Sequence, residues 1–99
     1  MPRKRRFSND SFGPTIQALM SERGTTYRQL AERTGLSAGY LNHLVHGNRP
    51  VPSKDVVIRL ADALGVEPEY FREYRLRVIA DRLEEMPDLV DRLYRRLAV

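Results

Sequence analysis

A chain of 99 residues with 17 Lys plus Arg against 13 Asp plus Glu makes one ordinary domain, or a small domain with an arm and a tail, and is too short for a TIM barrel or a two-domain dehydrogenase. It has no cysteine, which excludes disulfides, thiolate zinc sites and thiol catalysis, and no run approaches the roughly 18 apolar residues of a membrane span. The net charge of +4 is uneven: residues 1–12 hold four basic groups and one acid, residues 13–67 six and five, and residues 68–99 seven and seven.

Residues 1–12 lack periodicity, with Ser8-Asn9-Asp10 leading towards Gly13-Pro14, so they read as a flexible basic arm. No apolar stretch follows the basic residues, so no secretory leader is expected and the cytoplasm is the default compartment. A first helix is expected from Pro14 to Arg23, with Ile16, Leu19 and Met20 on one face. Thr26 caps a second over Tyr27 to Thr34, with Leu30 and Ala31 inward and Gly35 after its last turn. Ser37 caps a third, in which Leu41, Leu44 and Val45 form the buried face and Ala38, Gly39, Asn42, His43 and His46 the other. The segment from Gly47 to Pro52 holds two prolines and cannot be regular helix.

Ser53 then caps a fourth helix with an apolar stripe of Val56, Val57, Leu60, Ala61 and Leu64, closed by Gly65. Glu67-Pro68-Glu69 opens a fifth of about 18 residues, by the same periodicity, on which Phe71, Tyr74, Val78, Ile79, Leu83 and Met86 share a face. Pro87 breaks it, and Asp88 to Leu97 make a sixth with Leu89, Val90, Leu93 and Leu97 apolar. No strand and no internal repeat is visible, and the expected class is all-α.

The run YRQLAERTGLSAGYLNHLVHG at residues 27–47, followed by Pro52-Ser53 and LADALGV at 60–66, resembles the helix-turn-helix of the Cro/CI-type repressors, the XRE family. The pieces are individually weak, but their order and spacing over forty residues of sequence are specific. The resemblance covers residues 12–71 and implies a five-helix Cro/CI repressor-like helix-turn-helix domain over 13–71, with a C-terminal helical extension over 72–99. It departs from the family pattern in three places. Tyr27 stands where Gln is common, Val45 where Glu is common, and the loop holding Asn48 and Arg49 is longer than usual.

The physics of the segment agrees. A three-residue turn, Gly35-Leu36-Ser37, lets two short helices cross in few ways, and the third then presents its polar face as a ridge that fits a major groove about 12 Å wide. By position in the motif, Ala38, Gly39, Asn42 and His43 meet base edges, since Asn pairs bidentately with adenine, His donates to guanine, and an alanine methyl can touch a thymine methyl. The small Ala38 and Gly39 either let the helix approach closely or reduce the number of bases read. Phosphate contacts are expected from Thr26, Tyr27 and Arg28 at a helix N-terminus and from Tyr40, His46, Asn48 and Arg49 on the other flank. Arg3, Lys4, Arg5 and Arg6 can follow the backbone or enter a minor groove, the bland reading being a solubilising tail.

The apolar residues after the domain, Tyr74, Val78, Ile79, Leu83, Met86, Leu89, Val90, Leu93 and Leu97, are surplus to it. They either fold back on it or pair with a second chain, and a homodimer suits palindromic sites. No enzyme is expected: the serines lack a base partner, there is no phosphate loop, and no paired-carboxylate pattern is present. His43 and His46 at i, i+3 lack further ligands, so neither metal nor cofactor is expected. The expected partner is double-stranded DNA, and the expected activity is transcriptional regulation, most simply repression. An antitoxin that also binds a toxin, a nucleoid-organising protein and a protein-interaction adaptor are the alternatives.

Overall fold

A computed structural model describes residues 7–98. They form six α-helices in the order α1 (Phe12–Arg23), α2 (Tyr27–Thr34), α3 (Ala38–Val45), α4 (Lys54–Ala63), α5 (Arg72–Glu84) and α6 (Pro87–Ala98), with one 3-10 turn, Pro68–Tyr70, between α4 and α5. The all-α class expected from periodicity holds, and the described residues contain no β-strand.

The apolar faces of the first four helices converge on one core. Ile16 and Leu19 from α1, Leu30 from α2, Leu41 and Leu44 from α3, and Val57 and Leu60 from α4 are all essentially inaccessible to water. Burying a side chain of this size is worth about 1.5–3 kcal/mol. Spacing at i, i+3 and i+4 is what lets each short helix supply one such face. At the turn between α2 and α3, Gly35 adopts φ 76°, a left-handed value that only glycine takes without steric cost. The carbonyl of Thr34 beside it accepts from Arg59 Nη1 at 3.0 Å, so α4 satisfies the exposed end of α2.

Packing begins earlier than composition suggests. Residues up to 12 read as arm, yet Phe12 is in the core and Ser8 is buried. The Ser8 and Thr15 hydroxyls lie 3.0 Å apart, the Ser8 amide donates to the Tyr70 carbonyl at 2.8 Å, and Arg75 Nη2 donates to the Ser8 carbonyl at 2.7 Å. Hence α1 starts two residues before Pro14, which sits inside the first turn where its missing N–H is harmless. The four cations Arg3, Lys4, Arg5 and Arg6 lie outside the described residues.

The expected fifth helix is interrupted. Phe71 has extended backbone, φ −83° and ψ 128°, between the 3-10 turn and α5. Its ring leaves the helix face and enters the core, 5.1 Å from the ring of Phe12. Burying an aromatic outweighs continuing a helix by one turn. From there α5 is bolted to the domain by cations. Arg75 reaches the carbonyls of Ser8, Glu69 and Tyr70 and stacks over Phe7, and Arg77 donates to the carbonyls of Val51 and Pro52. Lys54 pairs with Asp81, whose carboxylate holds the ammonium above its usual pKa. That contribution is present at neutral pH and is lost only as pH rises through the raised value, and both groups are too exposed for it to be large.

Beyond α5 the chain leaves the body. α6 packs mainly on α5, and none of its described residues is buried. The radius of gyration is 15.5 Å, against about 13 Å for a compact domain of this length.

Candidate nucleic-acid interface

The amphipathic split of α3 is what the sequence leads one to expect. Leu41, Leu44 and Val45 are buried, whereas Ala38, Gly39, Asn42 and His43 are exposed together on the opposite face. The helix is held rigid at its start, where the Ser37 hydroxyl accepts from the Tyr40 amide at 3.1 Å. Its other end is closed by the amide of Asn48, which donates to the His43 carbonyl at 2.9 Å. Asn48 is thereby fixed at the foot of α3, with the exposed Arg49 next to it.

The start of α2 forms the second flank. Thr26 and Gln29 make a reciprocal cap: the Gln29 amide donates to Thr26 Oγ1 at 3.1 Å, and Gln29 Oε1 accepts from the Thr26 amide at 3.0 Å. Sequence reading found Thr26 and missed Gln29, although Thr-x-x-Gln is a visible capping signature. Thr26→Ala is expected to lower stability by about 1 kcal/mol, measured by urea denaturation, and Thr26→Ser to retain it; equal losses in both would show that the hydroxyl does not cap. Arg28 sits on the exposed surface, 3.7 Å from Glu32 one turn on, a loose pairing that a phosphate can displace. Tyr27 and Tyr40 are half-buried against the core, with part of each ring at the surface.

His46 caps α3, and its Nδ1 lies 2.8 Å from the Asn42 carbonyl. A carbonyl can only accept, so this nitrogen carries the proton. The neutral ring then offers a lone pair at Nε2, which no phosphate oxygen can use; only the imidazolium donates there. A phosphate contact from His46 therefore requires the protonated ring. Among the described residues no cluster of three His, Cys, Asp or Glu could hold a metal ion.

Arg77 is a positioning residue that sequence reading passed over. Its two bonds fix Val51 and Pro52, the end of the loop that carries Asn48 and Arg49. The only signal for it is a cation on the inward side of an otherwise polar helix face.

Residues 11–74 match the model of a family described as the helix-turn-helix domain. The chain belongs to that family. It is of the Cro/CI, XRE-like type that the motif at residues 27–47 resembles. It is 38% identical over 60 residues to the HTH-type transcriptional repressor RghR of Bacillus subtilis, a match that takes in 61% of this chain and 44% of that protein. The chain thus spans less than half the length of this relative. Among solved structures, the restriction-modification controller protein C.AhdI of Aeromonas hydrophila superposes with a TM-score of 0.55 at 33% identity, over 60% of this chain and 89% of that one. The clp gene regulator ClgR of Corynebacterium glutamicum superposes with a TM-score of 0.56 at 27% identity, over 86% and 88%. The ClgR match extends past the domain into the C-terminal helices.

The residues assigned to the C-terminal face separate into two groups. Tyr74 packs against the domain's own core, and Leu83, Leu89 and Leu93 are half-buried where α5 and α6 meet. Val78, Ile79, Met86, Val90 and Leu97 are exposed, and they are joined by Leu76 and Tyr94, which the sequence reading left out. Leu76 lies three residues before Ile79, and Tyr94 four after Val90 and three before Leu97, the periodicity that would have found them. No helix among the described residues is long and apolar enough to cross a membrane.

Proposed function

We propose that this helix-turn-helix chain is a sequence-specific DNA-binding transcriptional regulator that acts as a homodimer, most simply by steric repression. One observation carries the reading: α3 buries Leu41, Leu44 and Val45 and turns Ala38, Gly39, Asn42 and His43 outward on a helix fastened at both ends. In this reading α3 lies in the major groove. Asn42 and His43 bond base edges, and Ala38 and Gly39 allow close approach. Thr26, Tyr27 and Arg28 hold phosphates on one side; Tyr40, His46, Asn48 and Arg49 hold them on the other. Arg3, Lys4, Arg5 and Arg6 add counterion release, wherever along the duplex they lie. The regulatory names carried by RghR, C.AhdI and ClgR support the same class of activity.

The test is selection of bound sites from a random duplex pool, followed by titration at fixed physiological salt. Asn42→Ala is expected to cost about 1–3 kcal/mol on the enriched site and little on unrelated DNA. Equal losses on both would move Asn42 to the phosphate set. A wild-type specificity ratio near one would overturn the operator-binding reading.

A further inference from the structure

The loop from Gly47 to Pro52 carries the exposed Asn48 and Arg49, and no helix or strand gives it a shape. Its near end is tied to α3, where the Asn48 amide donates to the His43 carbonyl at 2.9 Å. Its far end is held by one side chain of α5. Arg77 Nη2 donates to the Val51 carbonyl at 2.9 Å, and Nη1 donates to the Pro52 carbonyl. Among the described residues no other hydrogen bond reaches the backbone of residues 49–52.

Only Arg49 and Pro50 lie between the two anchors, and both are stiff. Proline fixes its own φ near −65°, and the residue before a proline is confined to extended backbone. A short, stiff segment held at both ends has little room to move, and Arg49 shares that order. Arg49 makes no ion pair among the described residues, so its guanidinium remains available to an anion.

The far anchor needs an arginine. The carbonyls of two adjacent residues are met together by a planar guanidinium fork, whereas an ammonium is a point donor on a shorter reach. Arg77 and Val51 are half-buried and Pro52 is buried, so water competes poorly for these bonds. The neighbours on the same side of α5 keep Arg77 in register. Tyr74, three residues before it, packs on the core, and Asp81, four after it, holds Lys54 in the first turn of α4. The inward side of α5 thus grips the chain at 51, 52 and 54.

We infer that α5 sets the affinity of the DNA interface without touching DNA: through Val51 and Pro52, Arg77 is the positioning residue that places Arg49 on its phosphate. The inference rests on the DNA-binding reading above and adds to it the dependence of Arg49 on a side chain of another helix.

Full-length wild type, Arg77→Lys, Arg49→Ala and the double variant are titrated on the enriched duplex over a range of salt concentrations, with urea denaturation establishing that each is folded under the assay conditions. Arg77→Lys keeps the charge and loses the fork. Arg49→Ala is expected to lower the salt slope by about one. Arg77→Lys should lower it nearly as far although the net charge is unchanged, and in the Arg49→Ala background it should alter neither slope nor affinity. A wild-type slope in Arg77→Lys, or losses that add in the double variant, overturns the inference. An Arg49→Ala chain that binds the enriched site like wild type also overturns it, while the DNA-binding reading stands. A wild-type specificity ratio near one removes both. A second readout uses the free protein and needs no DNA. The amide order parameters of Arg49 and Val51 should sit near the rigid value of about 0.85 in wild type and fall towards about 0.6 in Arg77→Lys. A loop already flexible in the wild-type chain overturns the inference, whether or not any variant folds.

Discussion

Phe71→Ala is expected to lower the unfolding free energy by about 3–5 kcal/mol. The ring is fully buried, it packs at 5.1 Å on Phe12 and at 5.9 Å on Tyr70, and it lies where the 3-10 turn hands over to α5. The substitution removes a large apolar surface and leaves a void between α1 and the root of α5 that rigid helices can only partly close. Small domains have about 5–15 kcal/mol in total, so the loss is a large share of what holds the fold. Urea denaturation of the variant should show a lower midpoint with an unchanged slope. A loss below about 1 kcal/mol would mean that the site collapses freely and that α5 is not anchored through this ring. Leu97→Ala is the natural contrast, since that side chain is 79% exposed within one chain and its removal should leave the folding of a single copy unchanged.

The second large effect is at Gly13. A methyl group there would lie 2.4 Å from the Val45 carbonyl oxygen and 2.9 Å from that of Leu44. Both are backbone atoms at the end of α3, so no side chain can swing aside, and α1 must move off α3. Gly→Ala inside a helix ordinarily stabilises by about 0.5–1 kcal/mol. Here the sign should reverse, with a net loss of about 1–3 kcal/mol typical of overpacked interiors. The same substitution at Gly39 meets no heavy atom within 4 Å and should keep the ordinary sign. Denaturation of the two variants side by side decides the matter: a stabilised Gly13→Ala chain would contradict the close approach of α1 and α3. If α3 meets DNA as proposed above, Gly13→Ala should also weaken that binding, because displacing α1 disturbs the seat of α3. In the proposed complex, Gly39→Ala tests something different, namely how near the exposed face of α3 comes to the bases.

The helix-turn-helix was legible because its signals are local. Thr26, Gly35, Ser37 and Gly47 punctuate the chain, and Leu30, Leu41 and Leu44 repeat at helical spacing, so the limits of α2 and α3 and the outward face of α3 needed no knowledge of tertiary contacts. The less legible features depend on distant partners. Phe71 sits in a sequence that supports continuous helix, and only the pocket left by Phe12 draws it out. Residues 8–12 look like arm because their composition is polar, yet Arg75, 67 residues away from Ser8, captures them through backbone carbonyls that no composition reveals. Arg77 is one arginine among many until the loop at Val51 and Pro52 folds under it.

The net charge of the chain taught little, whereas its partition taught more: it set the cations of residues 1–12 apart from a neutral tail. Within that tail, the apolar residues of α6 are written in the sequence, but only the structure shows that Tyr94 and Leu97 stay exposed while Leu89 and Leu93 are half-buried. By itself, the sequence determined the helices, the turn between α2 and α3 and which side of α3 is polar, because hydrophobic periodicity and capping act over a few residues. Tertiary structure alone decided where the domain begins, why the fifth helix breaks at Phe71, and that α6 remains unburied. Those outcomes depend on whether a distant surface is present to receive a side chain, and a local pattern carries no record of that.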